Sequence, residues 1–160
     1  MPVKPSKPKI EEVVSNTYDG KALDIALDFI GFLRENKVSL TNKSPQSWQA
    51  NFKSKIVAIV ILQEKGLCLS LRGDFYSKSY ESIITNEKTA QSLRDNLYLK
   101  PCNGCNSKCS DGVTAHLFGM EYSKVCKHMP NTTYFNIADD HASECAKLII
   151  RKRCDDILAV

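Results

Sequence analysis

The sequence predicts one α+β domain: a small antiparallel sheet packed by two or three helices, carrying a cysteine-rich metal-binding loop. Three observations support this. Three segments have the apolar period of amphipathic helices, and several short stretches have the alternating or β-branched pattern of strands. Four of the seven cysteines fall within residues 102–126, a region otherwise made of turn formers and charged residues. A chain of 160 residues suits one core, and its 42% apolar and 25% charged content is ordinary for a globular protein.

Residues 1–10 read as a disordered tail, with Pro2, Pro5 and Pro8 at the three-residue period of polyproline II and lysines between them; the domain is expected over 11–160. From Lys21 to about Lys37, Leu23, Ala26, Leu27, Ile30 and Leu33 follow the i, i+3, i+4, i+7 spacing of a helix, and Phe29 and Phe32 widen its apolar face. Asn42-Lys43-Ser44-Pro45 reads as a polar connector. Ser47–Phe52 then alternates, placing Trp48, Ala50 and Phe52 on one face. Lys55–Leu62 is a β-branched run apolar on both faces, and Leu67–Leu71 returns from it, so the two predict a central hairpin in which Cys68 is a small buried thiol.

Arg72-Gly73-Asp74 reads as a turn, and Ser82–Ile84 as a short strand after Phe75, Tyr76 and Tyr80. Thr85 or Asn86 caps a helix bearing Ala90, Leu93 and Leu97 on one side. Beyond the cysteines, Gly112–Gly119 and Met120–Val125 predict a hairpin leading into Cys126. A last helix begins at Asp139 or Asp140 and buries Ala142, Cys145, Ala146, Leu148 and Ile149, with Arg151-Lys152-Arg153 suited to the negative end of the helix dipole.

The chemistry of interest is Cys102-x2-Cys105-x3-Cys109 followed by Cys126. A two-residue gap lets two sulfurs chelate one ion, Gly104 eases the tight turn, and Cys109 and Cys126 complete a tetrahedral set. Four thiolates favour a structural zinc ion. The three-residue gap keeps an Fe–S cluster in view, and free or redox-active thiols are a further alternative. His128 or His116 stands as an alternative to one of the sulfurs. Lys100, Lys108, Lys124 and Lys127 flank the group, where their charge favours thiolate or simply keeps a loop soluble.

The negative findings bound the function. There is no Gly-rich phosphate loop, nucleophile elbow or deaminase motif, so no catalytic residue is assigned and the reading leans away from an enzyme. A formal charge of +4 with one basic turn is weak grounds for nucleic acid, and no apolar run suggests a membrane span. Without an apolar leader behind the first lysines the expected address is the cytoplasm, where close cysteine spacing favours metal over disulfide. Trp48, Phe52, Phe75, Tyr76 and Tyr80 are candidates to line a ligand pocket, or else belong to the core.

From Trp48 onward, Trp-x3-Phe-Lys-x-Lys-Ile-Val, the Cys-x2-Cys-x3-Cys run, Phe118-Gly-Met-Glu-Tyr-x2-Val-Cys126, Phe135-Asn136 and a closing Lys147-Leu-Ile-x-Arg helix resemble small bacterial proteins, mainly from anaerobic Firmicutes. The likeness covers about two-thirds of the chain. It implies a compact α+β domain with the four cysteines as one unit, and it implies no particular reaction. The expectation is a zinc-stabilised bacterial domain that binds an unidentified protein or small molecule, with a thiolate or Fe–S redox protein as the alternative.

Overall fold

The computed structural model describes residues 2–72, 78–102, 112–126 and 133–160. Residues 2–9 are exposed and lack regular structure. The order thereafter is α1 (Ile10–Thr17), α2 (Gly20–Glu35), β1 (Ser39–Ser44), β2 (Ser47–Phe52), β3 (Lys55–Gln63), β4 (Gly66–Leu71), a 3-10 turn (Lys78–Ile83), α3 (Glu87–Asn96), β5 (Leu97–Leu99), β6 (Val113–Leu117), β7 (Met120–Val125), β8 (Thr133–Asn136) and α4 (Asp140–Leu158). The chain is α+β, with all described strand pairs antiparallel. No described helix is long and apolar enough to cross a membrane.

Six strands form one sheet in the order β1-β2-β3-β4-β8-β5, so the β3–β4 hairpin is central and β8 is inserted between β4 and the short strand β5. One cross-strand row reads Trp48, Val60, Leu69, Phe135 and Leu97, and every member is buried. The helices pack on this side, α2 against β4 and α4 against β3. The alternate row, Gln49, Ile59, Ser70, Tyr134 and Tyr98, faces the other way, and Tyr98 is 52% exposed. Lys147 on α4 ties the helical layer together: its ammonium donates to Asp28 of α2 at 2.7 Å and to Glu144 at 2.8 Å, above the Phe32 ring.

Tight turns fix the register. Lys53 and Ser54 join β2 to β3, and Phe118 and Gly119 join β6 to β7, all four with positive φ as a type I′ hairpin requires. Two helix caps form as their residue types dictate: Asn86 accepts from the Thr89 N–H at 2.9 Å and Asp139 from the Ala142 N–H at 2.7 Å.

Several expectations change. Ser82 and Ile83 end the 3-10 turn and Ile84 follows it, so this stretch is not a strand: the Ile84 N–H donates back to the Glu81 carbonyl as the turn closes. Helix α1 forms where a tail was expected to give way to the domain, since Ile10 and Val14 lie one turn apart and bury fully. Segment Ser39–Ser44 is an edge strand, not a connector; its polar sequence suits a strand paired on one side only. In α2 the buried face is Ile25, Ala26, Phe29, Ile30, Phe32 and Leu33, rotated so that Leu27 is 38% exposed.

Candidate metal centre

Pro101 forms an isolated antiparallel bridge with Val125, joining the end of β5 to the end of β7. On its two sides the Cys102 N–H donates to the Lys124 carbonyl at 2.7 Å and the Cys126 N–H donates to the Lys100 carbonyl at 3.1 Å. This pattern makes Pro101 and Val125 a non-hydrogen-bonded pair, the ladder position at which a missing N–H costs nothing. The proline thus selects the register that sets both cysteines.

Cys102 and Cys126 each stand one residue past the bridge on their own strand. They are diagonal neighbours, a relation that places Cα atoms about 7–8 Å apart. A disulfide needs Cα atoms closer than about 7 Å, whereas two sulfurs bonded to one zinc at about 2.3 Å each span that gap readily. Both residues are partly exposed and their thiols are free. Each cysteine bonds through its backbone to a lysine residue on the other strand, and the side chains of Lys100 and Lys124 are exposed.

Two backbone features aim this corner. A bulge places Ser123 and Lys124 opposite Thr114, with Lys124 at φ 55°, and this turns the end of β7 toward Pro101. Gly112, at φ +70°, lies so close that a Cβ there would sit 2.6 Å from the Val125 carbonyl oxygen and 2.9 Å from the Cys102 Cβ. Residue 112 therefore abuts residue 102, closing the base of the intervening segment. Cys105 and Cys109 lie outside the described residues.

The structure thus brings together two of the four cysteines expected to bind metal. Among the described residues no group of three or more Cys, His, Asp or Glu gathers at metal-binding distance. His128 is also outside them. His116 sits near the hairpin turn, exposed and 4.0 Å from Glu121, while Cys126 lies past the hairpin's open end. The three remaining cysteines, Cys68, Cys145 and Cys154, are buried in the core. Burial pushes the Cys68 and Cys154 thiols up to about 11 and raises that of Cys145 as well, which keeps all three protonated and unreactive.

Of the aromatic candidates, Trp48, Phe52 and Tyr80 are buried at 1%, 7% and 1% exposure. Trp48 borders a cleft of about 240 Å³ shared with Lys7–Ile10 and Leu40–Asn42, and Lys152 lies over the Tyr80 ring. Phe75 and Tyr76 lie outside the described residues. Two contributors had no place in the sequence-based site. Pro101 and Gly112 are recognisable as a strand-edge proline and a close-approach glycine only once their partners across the ladder are known. No protein-family model, curated protein or solved structure matches the chain.

Proposed function

We propose that this is a small zinc-stabilised bacterial domain of the kind the Firmicutes likeness implies, acting in the cytoplasm by binding a protein or small-molecule partner. Cys102, Cys105, Cys109 and Cys126 hold the ion. The observation that supports this reading is the Pro101·Val125 bridge, which sets Cys102 and Cys126 diagonally across two strands, with Gly112 returning the chain to the same point. A site of four thiolates is closed, so the ion's role is to supply folding free energy.

Elemental analysis of the purified chain tests it. One zinc per protein is expected, and Cys105→Ser or Cys126→Ser should lose it while Cys68→Ser keeps it. An iron-containing coloured preparation would favour the Fe–S alternative, and metal-free protein with a rapidly alkylated Cys102 or Cys126 would favour thiol redox chemistry.

A further inference from the structure

The cysteine corner is also a joint. Strands β6 and β7 form a separate two-stranded sheet, and among the described residues its sheet pairing to the six-stranded sheet is the single Pro101·Val125 bridge. An isolated two-stranded hairpin is marginal in water. Ala115, Leu117, Phe118 and Val125 are nevertheless buried, so the hairpin is docked. Cys102 lies on the six-stranded side of the joint and Cys126 on the hairpin side, and two backbone hydrogen bonds connect them to the opposite strand.

Resting on the zinc reading above, we infer that metal occupancy governs whether the β6–β7 hairpin is fastened to the β5 edge, making the hairpin a metal-responsive element of an otherwise metal-independent core. An ion bonded to Cys102 and Cys126 cross-links the two sides beside the one bridge that joins the sheets among the described residues. Its removal leaves one bridge pair and the packing of Ala115, Leu117, Phe118 and Val125 to hold a two-stranded ribbon. The released state frees the backbone of residues 100–102 and exposes Leu117, Phe118 and Val125.

Hydrogen exchange on the full zinc-loaded chain, before and after chelation, measures this, with metal removal confirmed by elemental analysis. Exchange across 113–125 should accelerate about tenfold or more on zinc loss and recover on zinc addition, while 57–71 and 142–157 stay protected. A dye that fluoresces on apolar surfaces should bind the metal-free form. Unchanged hairpin exchange in zinc-free protein overturns the inference and leaves the zinc site standing. Equal loss across all three segments also overturns it, since zinc would then support the whole fold. A chain that neither contains nor takes up zinc removes both the inference and the reading beneath it.

Discussion

The central sheet and the cysteine corner are built on opposite principles. Around Trp48, Val60, Leu69 and Phe135, apolar side chains from strands and helices interlock with almost no exposed surface, and each of these strands is paired on both sides. At the corner, a single bridge pair, two flanking hydrogen bonds and a glycine bring three pieces of chain together. Dispersion and the hydrophobic effect hold the first region without help. The second combines a buried Val125 with two partly exposed free thiols, Cys102 and Cys126, and the proposed ion would add a cross-link there.

The largest expected effect comes from the core. Trp48→Ala empties a fully buried site and should cost about 3–5 kcal/mol in chemical denaturation. If the two regions are independent, zinc stoichiometry in the folded fraction stays unchanged. A variant that lost its metal while still folded would show that the core and the corner are coupled.

Alkaline titration tests the buried cysteines of the core. Burial pushes Cys68 from 9.0 to about 11, so between those values the unfolded chain has lost a proton that the folded chain keeps. Its contribution to stability is full below pH 9 and declines as pH rises toward 11. That loss amounts to about 2 kcal/mol. Cys68→Ala should remove part of the fall in melting temperature over this range, the rest arising from Cys154, Cys145, the buried Tyr18 and the partly buried Tyr122, which are raised too. An unaltered slope would mean that the decline arises elsewhere.

How far the sequence discloses each region follows from the same contrast. Helix α2, strands β2, β3 and β4, the β6–β7 hairpin and the capped helices α3 and α4 are legible because their periodicity reports their own burial. Strands β1, β5 and β8 are short or polar, and they are strands because of a neighbour. Leu97 continues the apolar period of α3 but turns out to begin β5, where its partner is Phe135. The pairing of Cys102 with Cys126 is suggested by cysteine count alone, whereas its diagonal geometry depends on Pro101 meeting Val125, a contact no local pattern encodes.

Gly112→Ala probes the corner without touching a sulfur. The new methyl would meet the Val125 carbonyl at 2.6 Å, a backbone atom that cannot swing aside, and φ +70° adds strain of about 1–2 kcal/mol. Zinc affinity should fall and exchange across 113–125 should quicken, with the thermal midpoint of the core little altered. A normal zinc affinity would show that closure at Gly112 is incidental to the site.

The smallest effect lies at the far side of the sheet and tests whether the core region has conformational strain to lose. Lys53 and Ser54 occupy the left-handed region in the β2–β3 turn, at φ 47° and 65°. A type I′ turn prefers Asn-Gly at these positions, and a side-chain-bearing residue there costs about 1 kcal/mol relative to glycine. Ser54→Gly removes that cost but gives the unfolded chain more freedom, which offsets part of it, so the net gain should be about 0.5 kcal/mol. Because β2 and β3 pair through this turn, the gain should appear in global unfolding and leave exchange in the β6–β7 hairpin unchanged. A gain felt equally at the hairpin would mean that the sheet and the cysteine corner unfold as one cooperative unit.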